Sequence, residues 1–207
     1  MKTEGMSDDE IRARHAEKMA KRKAARDKII ATKTKEKGLL IVHTGKGKGK
    51  TTAAMGLAVR AIGSGMKVGI VQFVKGAWQT GERKVLEAFP DLCVMKAMGE
   101  GFTWDTQDRD RDIAAARKAW DAAQSMMADP SFSMVVLDEL NIVLRYDYLD
   151  LDSVVAALAA RRPDLHVVVT GRNAKEPMLE AADLVTEMTE IRHHFRDGVK
   201  AQLGIEY

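Results

Sequence analysis

The sequence predicts an α/β domain, a mostly parallel sheet with helices on both faces, preceded by a basic N-terminal helix. Three observations carry this expectation. From residue 39 onward, continuous apolar runs alternate with helical patterns, as they do when strands are buried on both faces of a parallel sheet. The first run, Leu39-Leu40-Ile41-Val42, leads into Thr44-Gly45-Lys46-Gly47-Lys48-Gly49-Lys50-Thr51-Thr52 and then into a helical stretch opening Ala53-Ala54-Met55. A later run, Val135-Val136-Leu137, ends in Asp138-Glu139.

Strand, glycine-rich turn and helix in that order are the context of a phosphate-binding loop. Gly45, Gly47 and Gly49 allow positive φ and close approach, so that successive N–H groups can face a polyanion. Lys50 then reaches the terminal phosphates, Thr51 offers its hydroxyl to Mg²⁺, and the helix that begins there directs its positive end at the same charge. In the pattern G-x-x-x-x-G-K-[ST] the first glycine should fall where Thr44 stands; Gly45 takes its place one residue late.

The remaining elements follow in order. Leu39–His43 is the first strand, and Lys50–Ser64 the helix after the loop, stopped by Gly63 and Gly65. Lys67–Val74 is a second strand and Leu92–Met98 a weaker third. Over Arg109–Ala128, Ile113, Ala116, Trp120, Ala123 and Met127 recur at steps of three and four, the stripe of an amphipathic helix on which Trp120 belongs to the core. Ser133–Leu137 is a buried strand that delivers Asp138 and Glu139 to the edge where phosphate ligands sit in such sheets, and one of the two should meet Thr51 across the metal. Leu151–Arg161 reads as helix, His166–Thr170 as strand, Lys175–Ala182 as a short helix and Leu184–Met188 as the last strand.

Charge divides the chain at residue 38. The net +3 comes from 33 Lys+Arg against 30 Asp+Glu, but residues 1–38 alone carry +5 and residues 39–207 carry −2. A folded body without a basic face argues against a nucleic-acid enzyme. Residues 1–38 are therefore expected as a basic helix and tail, partly mobile, and 39–207 as the nucleotide-binding domain. Ile11 to Lys37 lacks Pro and Gly and has good helix propensity, yet Ile11, Met19 and Ile29-Ile30 are too few to bury it alone. The longest apolar run, 154–160, is too short to span a membrane. The single Cys93 excludes an internal disulfide and suits a reducing compartment, where it acts as a small buried hydrophobe. With no secretory signal pattern, a cytoplasmic location is expected.

Two aromatic sites lie on the ligand edge. Trp78, in the loop after the second strand, serves equally well as a ligand contact or as packing. Phe102 and Trp104 sit in the glycine-flanked loop Gly99–Trp104, suited to a flat apolar partner. His43, His193 and His194 lack metal-ligand spacing and read as ordinary polar residues.

The segments T-G-K-G-K-G-K-T-T-A-A, V-Q-F-V-K-G-A-W-x-x-G-E-R, G-F-T-W-D-T-Q, V-V-L-D-E-L-N, Y-D-Y-L, V-V-V-T-G-R and G-V-K-A-Q-L-G-I-E-Y, in this order, resemble the ATP:corrinoid adenosyltransferase family over roughly residues 11–207. The resemblance implies a RecA-like fold, a homodimer, and transfer of the 5′-deoxyadenosyl group of ATP to a corrinoid reduced to Co(I), with release of triphosphate and with a flavoprotein-type reductant supplying the Co(I). It also implies that Gly45, Lys46, Gly47, Lys48, Gly49, Lys50, Thr51 and Thr52 hold the triphosphate, with Thr51 and Glu139 on Mg²⁺ and Lys48 and Lys50 on the leaving group. Phe102 and Trp104 would close over the corrinoid, and the N-terminal helix would cover the active site. Lys46 departs from the Asn expected in the family's loop and adds a charge near the phosphates. Because Co(I) is itself a strong nucleophile, such an enzyme needs no activated side chain. The competing readings are a RecA-like phosphate-loop ATPase acting on another partner, with Glu139 positioning water, and a nucleotide-gated binding module that consumes no ATP.

Overall fold

The computed structural model of the chain describes residues 6–74, 80–98 and 108–206. These fall into two units, Met1–Glu36 and Lys37–Tyr207. The first is a single helix, α1 (Asp8–Ala31), none of whose residues is buried. What starts it is local. Ser7 caps the helix by accepting from the Glu10 backbone N–H, Glu10 returns the bond to the Ser7 N–H, and Asp8, Asp9 and Glu10 sit at the positive end of the dipole. Ile29 and Ile30 are more than half exposed, as the thin apolar stripe requires.

The second unit holds a six-stranded sheet whose neighbouring strands all run parallel. In chain order its elements are β1 (Leu40–Thr44), α2 (Lys50–Gly63), β2 (Val68–Gln72), α3 (Gly81–Leu86), β3 (Cys93–Ala97), α4 (Arg109–Ala128), β4 (Met134–Asp138), α5 (Leu140–Arg145), α6 (Leu151–Ala159), β5 (His166–Thr170), α7 (Glu176–Ala181) and β6 (Leu184–Glu187), followed by a 3₁₀ turn at His194–Asp197. The strand order is β3-β2-β4-β5-β1-β6.

Successive side chains of a strand point to opposite faces, so each central strand feeds two cores. Leu40, Val42, Val135, Leu137, Val167 and Val169 pack with α4, α5 and α6 on one face. Ile41, Ile70, Val136 and Val168 pack with Ala54, Met55, Ala58 and Ile62 of α2 on the other. Helices thus cover both faces, and Trp120 packs against the first core and Cys93 lies in the second, as the sequence indicates. β6, at the sheet edge, has no buried residue.

Three elements are absent from the sequence expectation. A single turn residue, Glu139 at φ +64, separates the end of β4 from the start of α5. α3 and the 3₁₀ turn are too short to show a period. β2 also ends earlier than expected, at Gln72, and the Phe73 N–H to the Asp138 carbonyl at 3.0 Å is the last bond of its ladder with β4.

Candidate active site

The loop between β1 and α2 is shaped by its glycines and braced from β6. Gly45 and Gly49 take φ of +96 and +103, conformations that side chains with a Cβ rarely adopt. A Cβ on Gly45 would lie 2.4 Å from the Met188 carbonyl oxygen, and one on Gly47 2.8 Å from it. Gly47 needs its missing side chain for this close approach alone. The loop is tied there by the Gly47 N–H to the Met188 carbonyl at 2.7 Å and the Met188 N–H to the Thr44 carbonyl at 2.9 Å. Gly49 is the N-cap of α2, so the first helical N–H groups open toward the loop.

Lys50 folds back over that loop and donates to the carbonyls of Gly45 at 2.8 Å and Gly47 at 2.5 Å. Burial, the Arg172 guanidinium and the Lys48 ammonium push its pKa down, against a smaller pull upward from Glu139. A cation made less comfortable by burial and by neighbouring cations gains from an arriving polyanion.

Opposite the loop, the C-terminal end of β4 delivers Asp138, which is fully buried. Its Oδ1 accepts from the hydroxyls of Thr51 and Thr170, each at 2.8 Å, and its Oδ2 accepts from Gln72 Nε2 at 3.1 Å. Thr170 in turn accepts from the Glu139 N–H at 2.8 Å. One carboxylate thereby joins α2, β2, β4 and β5. Of the two acids at the strand end, Asp138 makes the direct contact to Thr51, while the left-handed Glu139 lines the cleft itself.

That cleft, about 450 Å³, brings together Lys48, Lys50, Thr51 and Thr52 with Glu139 and Arg172. Gly45 and Lys46 line a neighbouring depression with Asn173, Glu187 and Glu190. Phe102, Trp104 and Trp78 lie outside the described residues.

Four residues of the site escape the sequence reading. Gln72, Thr170 and Arg172 do carry a signal: each is a polar residue at or just past the C-terminal end of an apolar strand, on the ligand edge of a parallel sheet. Arg172 is presented by a tightly built turn. Gly171, at φ +132, would place a Cβ 2.8 Å from Asn141, its N–H bonds the His43 carbonyl at 3.2 Å, and the Ala174 N–H bonds Thr44 Oγ1 at 3.0 Å. Glu206 gives no such signal; it reaches Lys48 Nζ at 2.6 Å from the far end of the sequence.

The donors of the cleft also fit a magnesium ion. Thr51 and Glu139 line the cleft with hard oxygen donors while Asp138 stands behind the Thr51 hydroxyl, and no group of three or more His, Cys, Asp or Glu residues is assembled among the described residues. Magnesium suits such a site, since it takes one or two protein ligands and completes its shell with phosphates and water.

Comparison with known proteins agrees with these features. The family described as ATP:corrinoid adenosyltransferase BtuR/CobO/CobP matches residues 36–207, and the Cob(I)alamin adenosyltransferase N-terminal family matches residues 6–30. A corrinoid adenosyltransferase of Sinorhizobium sp is 59% identical over 94% of this chain and 92% of its own length. One of Pseudomonas aeruginosa is 54% identical over 94% and 96%. One of Escherichia coli K12 is 48% identical over 98% and 100%.

Proposed function

The chain belongs to the ATP:corrinoid adenosyltransferase family, and we propose that its cleft holds the triphosphate of ATP as a leaving group. The reaction is ATP-dependent adenosylation of a corrinoid. The electron pair of Co(I) forms a bond to C5′ of ATP, the C5′–O bond breaks with its pair going to triphosphate, and the cobalt ends as Co(III) alkyl. The substrate supplies the nucleophile, so the protein's share is orientation and stabilisation of the departing charge.

The observation that carries this reading is the convergence of Lys48, Lys50 and Arg172 with the N-terminus of α2 on one cleft. Lys50 exchanges its two loop carbonyls for phosphate oxygens, and Lys48 and Arg172 take oxygens nearer the rim. A magnesium ion would be held by Thr51 and Glu139, with Asp138 orienting the Thr51 hydroxyl, and would neutralise part of the phosphate charge. Phe102 and Trp104 close on the flat macrocycle and keep water from the cobalt.

The protein acts as a homodimer in this proposal. Leu184, Val185, Ile191, Phe195 and Leu203 are 42% to 97% exposed along β6 and the segment after it, an apolar surface of the kind that subunit contacts bury. Reduction of the corrinoid falls to a separate flavoprotein-type reductant, in a reducing cytoplasmic compartment that suits the lone Cys93. Anaerobic incubation with ATP, Mg²⁺ and chemically reduced corrinoid tests the whole. Triphosphate should appear in step with loss of the Co(I) spectrum, and ADP with phosphate as the main products would refute it.

A further inference from the structure

The cleft contains a carboxylate to which the reaction assigns no work. Glu206 Oε1 accepts from Lys48 Nζ at 2.6 Å, and His194 Nε2 lies 3.3 Å from the same oxygen. The Glu206 side chain is only 14% exposed, although the residues leading to it, Leu203 and Ile205, are among the most exposed apolar residues of the unit. A compact turn presents it: the N–H groups of Ile205 and Glu206 both bond the Gln202 carbonyl, and Gly204, inside the turn, takes φ +79. Gly204, Ile205 and Glu206 also wall a groove against Met55 and Val59 of α2 and Val85 of α3, so the segment is seated beside the phosphate loop as well as bonded to it.

An ammonium with a carboxylate oxygen at 2.6 Å has the partner that a phosphate oxygen would give it. Glu206 and a triphosphate carrying several negative charges cannot share Lys48 without like charges meeting in one cleft. We propose that Glu206 is an internal competitor for the Lys48 contact, and so a determinant of affinity for ATP and for the triphosphate product. Binding of the polyanion turns the carboxylate out of the cleft, and its return to Lys48 opposes retention of triphosphate after transfer. The segment is fit for this exchange, because what joins Glu206 to the cleft is side-chain contact to Lys48 and His194 rather than a strand ladder. The proposal rests on reading the cleft as the triphosphate site.

Calorimetric titration of the full chain with inorganic tripolyphosphate tests it. Because the pair is partly exposed and its loss also removes one like charge, Glu206→Gln and Glu206→Ala should each tighten tripolyphosphate binding about fivefold. In a Lys48→Met background the same substitutions should change affinity less than about twofold. Affinity equal to or weaker than the parent's, tightening that persists undiminished without Lys48, or loss of the fold in both Glu206 variants would overturn the proposal. A gain in affinity is a result that a damaged structure does not produce. Tripolyphosphate binding needs no corrinoid, so failure here and failure of the transfer assay are told apart.

Discussion

Replacing Asp138 by Ala and by Asn should give sharply different results. The carboxylate is fully buried and accepts from Thr51, Thr170 and Gln72. In Asp138→Ala the buried donors of Gln72 and Thr170 lose their acceptor, and each such orphan costs about 1–3 kcal/mol. Thr51 lines the cleft and turns to water, so it adds little. The expected loss is about 3–5 kcal/mol, a large share of the roughly 5–15 kcal/mol typical of a domain. In melting temperature that is about 10 °C for a domain of this size. In Asp138→Asn the side-chain oxygen keeps both hydroxyl donors, and Gln72 answers the new N–H by turning its amide oxygen toward it. The loss there should be about 1 kcal/mol. Urea denaturation of the full chain, followed by circular dichroism, separates the two. An Ala variant within about 0.5 kcal/mol of the parent, or an Asn variant as unstable as Ala, would show that this network does not hold the strand ends together.

Other substitutions probe separate parts of the account. Glu139→Gln should weaken productive ATP binding and slow transfer, with partial recovery at high Mg²⁺; transfer at the parent rate under limiting Mg²⁺ would pass the metal to Asp138. Double substitution of Phe102 and Trp104 by Ala should leave ATP affinity near normal and lower transfer from Co(II) corrinoid with a mild reductant far more than transfer from preformed Co(I); ATP affinity lost together with transfer would make the pair core packing. Asp183 accepts from the Lys37 ammonium, from the Leu40 N–H at 2.9 Å and from Arg161 at 3.2 Å, and these donors, Lys37 first, hold its carboxyl below the usual range. A depressed folded pKa contributes stability that is full above the unfolded value of about 3.9 and is lost as pH falls through the folded one. Asp183→Asn should therefore be less stable than the parent at pH 7, with the gap closing toward pH 3, and a gap that stays constant with pH would exclude this linkage.

The sheet and the phosphate loop are legible in the sequence because their signals are local. Val135-Val136-Leu137 and Val167-Val168-Val169 are continuous apolar runs that only a doubly covered strand tolerates, and Gly45 to Thr51 is a backbone shape written in glycines. The site is less legible wherever a residue's meaning depends on a neighbour distant in the chain. Asp138 and Glu139 are adjacent acids with nothing local to separate them; the division of roles arises because Glu139 turns left-handed to open α5, leaving Asp138 between Thr51 and Thr170. Arg172 follows an ordinary apolar strand, and only the turn built around Gly171 and Asn173, at φ +132 and +55, places it beside Lys50. Glu206 meets Lys48 across 158 residues, a separation no periodicity can report.

The central claim is that the bond broken is carbon to oxygen, at C5′, and not phosphorus to oxygen. ATP carrying ¹⁸O in the bridge between C5′ and the α-phosphorus decides this directly, by mass spectrometry of the products after anaerobic turnover with Mg²⁺ and reduced corrinoid. The account predicts that the bridging label leaves entirely with triphosphate while unlabelled 5′-deoxyadenosyl is recovered on cobalt. Label retained on an adenosine 5′-oxygen, or phosphates released as ADP and orthophosphate, would contradict it.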